Sequence, residues 1–534
     1  MILASNIYTM SIVLKEAKPP IDYKKRCEEL EKEVARLYAL IDKLKEQLRL
    51  NRHRQFGKSS ERTDGDEVQL QLFNEAEATA SPAEPEPTVE KITYERRKPR
   101  GRREAILADL PVETIEYHLE PEEQICPCCG GPLHEMSIEV RQELKFIPAQ
   151  VKVVKHVRHV YACRKCQQDE ETTPVITAPM PSPVLKGSLA SPTLLSHVMT
   201  QKYLYGMPLY RQEQQFSQLG VELSRQTLAN WMIYGAHRYL RPLYERMHQQ
   251  LLELDILHAD ETTLQVLREP DRPAESQSYL WLFRSGREGP PIVLYDYKPT
   301  RSGTVPREFL SGFKGYVHVD GYSGYNGLPG VTLVGCWAHA RRKFDEALNA
   351  LPPNNRSPDV ASRQGLEFCN RLFAIERELE DMTPQERFEA RQKRSRPVLD
   401  AFLAWLQTQS AQALPKSVFG QAVHYCLSQW DKLVAFLEDG RLELSNNRAE
   451  RSIKPVVMGR KAWLFSNTPR GAEASAMIYS IVETAKENGL DPFAYLCYLF
   501  ERMPNMDLKD PAAVEELLPY SPSLPATCRA ATRQ

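Results

Sequence analysis

Neither sign of charge prevails in this chain of 534 residues: 69 Lys and Arg stand against 70 Asp and Glu, a formal net charge of -1. Total charge therefore does not dictate a nucleic-acid partner, and any basic contact surface has to be local. Long hydrophobic runs are missing too. No stretch approaches the roughly 18 apolar residues of a membrane helix, so no membrane partner is expected. The opening MILASNIYTMSIVLKEAKPP has no sustained apolar core and no clear cleavage site. No targeting signal is expected from it, and a cytoplasmic location follows. The eleven cysteines are odd in number and uneven, with Cys126, Cys128, Cys129, Cys163 and Cys166 inside 41 residues. That excludes a regular disulfide scaffold and favours a reduced compartment with one metal site. What remains is ordinary globular composition, 42% hydrophobic and 26% charged, in a chain long enough for three or four domains.

From residue 22 to about 50 the chain repeats leucine every seven residues at Leu30, Leu37 and Leu44, with Val34, Ile41 and Leu48 between them. This 3-4 spacing makes a helical seam that needs a partner helix, so a homodimer or higher assembly is expected. Basic NRHRQFGKSSER follows, with Gly57 expected to end the helix; together these make a first unit, 1–62. Residues 63–105 form a linker, acidic and proline-rich at first, then basic in ERRKPRGRRE. Six of the eight residues from 96 to 103 are Arg or Lys, and Arg100, Arg102 and Arg103 are candidates for DNA-backbone contact.

A module of short strands is expected over 111–175. Cys126-x-x-Cys129 and Cys163-x-x-Cys166 make two knuckles separated by 33 residues. Four thiolates suit one tetrahedral structural Zn2+ with no open position, although CPCC also offers Cys128 as a ligand. Residues 183–250 read as helical. There PLYRQEQQFSQLG closes at Gly220, and Ser224 stands at the N-cap of a helix carrying Arg225, Gln226 and Asn230. Helix, glycine turn and polar-faced helix is the pattern of a helix-turn-helix, with Leu228 and Trp231 packed inward.

The segments 251–345 and 441–500 are expected to form one α/β catalytic domain of ribonuclease-H-like order. Three strands joined by tight turns lead to a short helix, then two more strands and a helix. Residues 346–440 are expected to be an all-helical insertion and 501–534 a C-terminal tail, whose last 20 residues, rich in proline and alanine, are expected to be loose. Asp260 interrupts the first strand in HADET, Asp320 ends the fourth in HVDGY, and Glu450 falls on a helix in SNNRAERSIKP that Ser445 or Asn446 can cap. Two strand-borne aspartates and a helix-borne glutamate can hold a pair of Mg2+ ions for phosphodiester chemistry. Alternation puts His258 and His318 on the face of the aspartates and Glu261 on the other, so Asp260 outranks Glu261. His339, in CWAHARRKF, is a candidate to orient a phosphate or water. From 448 to 470 the bases Arg448, Arg451, Lys454, Arg460, Lys461 and Arg470 surround a single acid, Glu450, which suits approaching phosphates. WLFS at 463–466 reads as strand, with at least one of its aromatics in the core.

Taken together, RQFGKSSE, CPCCG, PLYRQEQQFSQLGVELSRQTLANW, HADET, HVDGYSGYN, CWAHARRKF and LSNNRAERSIKPVVMGRKAWLFSNTPRG resemble the insertion-sequence-66-type transposases of bacteria over essentially the whole chain. The resemblance implies an Asp-Asp-Glu set falling on Asp260, Asp320 and Glu450, with a helical insertion before the Glu. It implies double-stranded DNA partners at the element ends and target, companion proteins from the same element, and a place at the bacterial nucleoid. A non-catalytic zinc-containing DNA-binding regulator is the alternative, and it would need none of the three acids.

Overall fold

The computed structural model describes residues 23–56, 150–162, 175–357 and 359–530. The four expected zinc ligands and Arg100, Arg102 and Arg103 lie outside these residues.

Helix α1 (Tyr23–Phe56) ends just before Gly57. All six heptad residues, Leu30, Val34, Leu37, Ile41, Leu44 and Leu48, are between 44% and 55% exposed, so nothing among the described residues covers the seam. Among the described residues, the far end of the helix rests on the body: Leu50 is buried, and Arg49 donates to the Ala350 carbonyl at 3.3 Å. Strands β1 (Val160–Ala162) and β2 (Val175–Thr177) pair antiparallel on either side of the segment that holds Cys163 and Cys166.

Helices α2 (Pro192–Tyr203), α3 (Leu209–Gln218) and α4 (Arg225–Gly235) follow. Gly220, at φ +79°, makes the turn that separates α3 from α4. Ser224 caps α4 by accepting the Thr227 N–H at 3.1 Å. Leu228 and Trp231 are buried while Arg225, Gln226 and Asn230 are exposed, as the pattern required. A π-helical turn, Ala236–Leu240, joins α4 to α5 (Arg241–Leu252) without a break.

The central sheet runs β5-β4-β3-β6-β7, built from β3 (Ile256–Gln265), β4 (Gln277–Ser285), β5 (Val293–Lys298), β6 (Gly315–Val319) and β7 (Val331–Gly335). The first three pair antiparallel through tight connections; β6 and β7 run parallel to β3. Helix α6 (Thr304–Phe309) lies in the link that carries the chain from the β5 edge to the opposite side of β3. The strand bearing Asp260 is therefore central. The outer edge of β5 is closed by α13 (Pro469–Glu487), whose Ser480 and Thr484 hydroxyls accept the Tyr295 and Val293 N–H groups at 2.8 and 3.0 Å.

Helix α7 (Trp337–Ala350) leads into the helical insertion: α8 (Ala361–Glu378), α9 (Pro384–Gln412), α10 (Val418–Ser428) and α11 (Trp430–Val434). Trp337, Phe344, Phe402, Leu433 and Phe436 form its own core against α7 and β7. Arg391 is fully buried there, held by Glu376 at 2.8 and 2.7 Å and by the carbonyls of Phe436 and Leu442. Helix α12 (Asn447–Trp463) returns the chain to the sheet, and α14 (Pro492–Arg502) and α15 (Pro511–Glu515) follow α13.

The expected loose tail is not loose through residue 530. Leu517, Leu518, Leu524 and Cys528 are buried, Asp491 donates its N–H to the Cys528 carbonyl at 2.9 Å, and Tyr495 donates to the Leu517 carbonyl at 2.6 Å. Proline and alanine suggested weak packing, but scattered leucines anchor the segment without helical or strand period.

Candidate active site

Strands β3 and β6 lie side by side with His258 opposite His318 in register. Their rings stack at 4.3 Å with 9° between planes, and both are fully buried. Two residues beyond the histidines, Asp260 stands midway along β3 and Asp320 directly follows the last residue of β6. Burial, aided by nearby arginines, pushes the His258 imidazole down to about 3 and His318 well below its usual value, so both rings are neutral.

Glu450 reaches the same place from the first turn of α12. Asn446 holds that helix start to the strand. It stands at the N-cap, but its side chain makes no capping bond. Nδ2 donates to the Ala259 carbonyl at 2.8 Å, which leaves Oδ1 to accept the His258 Nδ1–H at 3.0 Å. Its backbone N–H meets Cys336 Sγ at 3.2 Å. Thus one buried asparagine touches the residue before Asp260, the strand histidine and the start of α7. Glu443 adds a second tie: its N–H donates to His318 Nε2 at 3.3 Å, and Arg448 grips its carboxylate at 2.9 and 2.6 Å.

Asp260 Oδ1 accepts the Glu261 N–H and Asp320 Oδ1 the Tyr322 N–H, each at 2.8 Å. Burial raises the Asp260 carboxyl well above the usual range, and the charges of Glu261, Asp320 and Glu450 raise it further. Acids gathered without a compensating cation behave this way. Glu261 is committed elsewhere: it accepts from Tyr325 Oη at 2.6 Å and from Arg301 Nε at 2.7 Å, and the Arg301 guanidinium lies 3.9 Å over the Tyr322 ring.

His339 lies in the first turn of α7, with Nδ1 3.7 Å from Glu450 Oε1; Arg342 Nη2 lies 3.7 Å from Oε2. Burial lowers the His339 imidazole, against the opposing pull of Glu450. Among the described residues, Cys336, His339 and Glu450 bring three ligand atoms within 4.8 Å of one another; the three acids do not form such a set, although they feel each other electrostatically. Sequence reasoning missed Cys336 and the cross-strand role of Asn446. The C-x-x-H spacing at a helix start was the available signal for Cys336.

Of the basic residues, Arg451, Lys454 and Lys461 are exposed along α12, and Arg460 binds the Thr263 carbonyl and hydroxyl of β3. The expected strand at WLFS is corrected. Trp463 ends α12 and packs on the core, Leu464 turns the chain at φ +66°, and only Ser466 makes a bridge, to Val266. The helix persists because its own hydrogen bonds run to the Leu464 N–H, which donates to Arg460.

Residues 187–474 match the family model "Transposase IS66 family". Residues 123–167 match "zinc-finger binding domain of transposase IS66", 43–115 "Transposase C of IS166 homeodomain", and 480–520 "IS66 C-terminal element". The chain is 33% identical over 430 residues to uncharacterized protein y4jD of Sinorhizobium fredii (strain NBRC 101917 / NGR234), covering 76% of this chain and 81% of that protein. It is 29% identical over 502 residues to uncharacterized protein y4hP of the same strain, covering 90% and 87%. These matches define a DNA transposase with a zinc-finger module and a DDE-type catalytic region. The chain belongs to the IS66 family of transposases.

Proposed function

We propose that this transposase binds the terminal inverted repeats of its element and catalyses Mg2+-dependent cleavage and strand transfer with Asp260, Asp320 and Glu450. One observation carries the reading. Asp260, midway along β3, and Asp320, just past the end of the parallel neighbour β6, each stand two residues beyond the paired histidines, and the helix bearing Glu450 is tied to the Asp260 strand through Asn446. The sheet order, with the Asp260 strand central between an antiparallel and a parallel half, supports a ribonuclease-H-like catalytic domain.

Hard carboxylate oxygens suit Mg2+, and the raised Asp260 carboxyl is consistent with a site that gains from a cation. When bound, a pair of such ions activates an oxygen nucleophile and relieves charge on the leaving oxygen. Asp260, Asp320 and Glu450 hold the ions. His339, neutral and beside Glu450, orients water or the scissile phosphate. Arg451, Lys454 and Lys461 contact DNA phosphates, while Arg448 braces Glu443 beside them. Arg225, Gln226 and Asn230 present an exposed helix face to base edges. Arg100, Arg102 and Arg103 contact the backbone, and Cys126, Cys129, Cys163 and Cys166 hold the structural Zn2+. The open α1 seam pairs two chains, which a protein joining two element ends can use.

Labelled end DNA with Mg2+ tests the acid set. Asp320→Ala should lose cleavage and strand transfer and keep end binding; full cleavage by that variant would overturn the assignment.

A further inference from the structure

Cys336, His339 and Glu450 offer a thiol sulfur, an imidazole nitrogen and a carboxylate oxygen, all within 4.8 Å of one another. Two of them come from the start of α7, where C-x-x-H spacing brings both to one side of the first turn; the third comes from the first turn of α12. His339 Nδ1 and Glu450 Oε1 are 3.7 Å apart. Two ligands about 2.05 Å from a tetrahedral ion lie about 3.4 Å from each other, so a small closure suffices. Both of these atoms are buried and have no hydrogen-bond partner. The sulfur already receives the Asn446 N–H at 3.2 Å, which partly offsets the burial that pushes the free thiol up to about 12.

This donor set differs in kind from the three acids. Sulfur and nitrogen favour a borderline-soft ion over Mg2+. It also differs from the Cys126, Cys129, Cys163 and Cys166 set, because three protein ligands leave a fourth position open.

We infer that Cys336, His339 and Glu450 form a binding site for a divalent ion of the zinc class, and that filling it withdraws Glu450 from the acid set and inhibits the Mg2+-supported reaction. The inhibitory half rests on Glu450 being catalytic; the binding half does not. Binding converts the Cys336 thiol to a metal thiolate and releases its proton to solvent. Chain and metal are the only reactants, and no oxidation occurs. Transposition is then damped when zinc-class ions are in excess.

The test uses full-length protein with its cysteine module zinc-loaded. Co2+ is titrated in as the probe, and thiolate-to-cobalt charge-transfer and visible bands are followed in wild type, Cys336→Ser and His339→Ala. Bands that appear in wild type, vanish in Cys336→Ser and need at least about tenfold more Co2+ in His339→Ala support the site. Absent bands, or the same bands in Cys336→Ser, overturn it, since the sulfur would then be another cysteine. His339→Ala, at a half-buried position, keeps the test decisive if the serine variant does not fold.

Zn2+ inhibition of end cleavage is then measured, each variant normalised to its own activity in Mg2+. An inhibition curve in Cys336→Ser identical to wild type overturns the inhibitory half. A wild-type protein that binds Co2+ through Cys336 but never cleaves with Mg2+ leaves the site standing and removes the catalytic reading instead.

Discussion

Replacing Asn446 by Ala should damage both stability and catalysis, although the residue touches neither DNA nor the reacting atoms. The side chain makes two buried hydrogen bonds, to the Ala259 carbonyl at 2.8 Å and to His258 Nδ1 at 3.0 Å. Truncation leaves both partners buried and unpaired at about 1–3 kcal/mol each, together about 2–6 kcal/mol. At roughly 2 °C per kcal/mol for a large cooperative unit, the corresponding fall in melting temperature is about 4–12 °C. It also frees the start of α12 from β3, so Glu450 loses its register with Asp260. A displacement near 1 Å at a reacting site costs on the order of 100-fold in rate. Asn447→Ala is the control: that side chain is exposed, and its loss should stay within about 0.5 kcal/mol. Melting curves and Mg2+-dependent cleavage of end DNA are measured on both variants. Asn446→Ala behaving like Asn447→Ala in both assays would refute the reasoning.

Asp260→Asn should melt higher than wild type at pH 7 without metal and lose any stabilisation by Mg2+. Because folding raises the Asp260 carboxyl, its cost to stability is full above the folded pKa, shrinks as pH falls from there and is gone below the ordinary carboxylate range; the advantage of the variant should shrink in acid. Scanning fluorimetry with chelator and with Mg2+ across pH reads this, and a lower metal-free melting point for the variant would count against it. Leu37→Glu with Leu44→Glu should lower the mass seen by light scattering, because both residues stand exposed on the uncovered seam; an unchanged mass would leave α1 without a pairing role. Arg225→Ala with Asn230→Ala should erode the preference for terminal-repeat over random duplex, whereas Arg100→Ala, Arg102→Ala and Arg103→Ala together should weaken both and flatten the salt dependence. Equal loss on both duplexes from the first pair would move base reading away from α4.

The sheet was legible because each strand is an apolar run bounded by turn residues, and the acids sit where those runs break. Helix α4 was legible because Ser224, Leu228 and Trp231 carry local signals for a cap and a buried face. Asn446 was only half legible. A local reading finds an N-cap, but the side chain serves His258, 188 residues away in sequence, and nothing local encodes that choice. Cys336 was hidden for the same reason: its proposed metal partner Glu450 enters from a helix beyond the whole insertion. The packed segment after α14 escaped because Leu517, Leu518 and Leu524 follow no period, and composition alone suggested looseness.

The histidines of HAD and HVD marked the faces of their strands, and their chemistry explains why they need not titrate. Stacked, fully buried and neutral, they take no proton near pH 7. Instead each fixes a link between strand and helix. His258 gives its Nδ1–H to Asn446, and His318 accepts the Glu443 N–H through Nε2. Both contacts fall in the segment where the chain returns from the helical insertion to the sheet. An insertion of this size between the second and third acids separates Asp320 from Glu450 along the chain and has a core of its own. Motion of the insertion would be felt at Glu450 unless the re-entry point were clamped. Two neutral rings and one asparagine provide that clamp without adding charge beside the acids, where a protonated histidine would compete with the cation that the proposed reaction requires there.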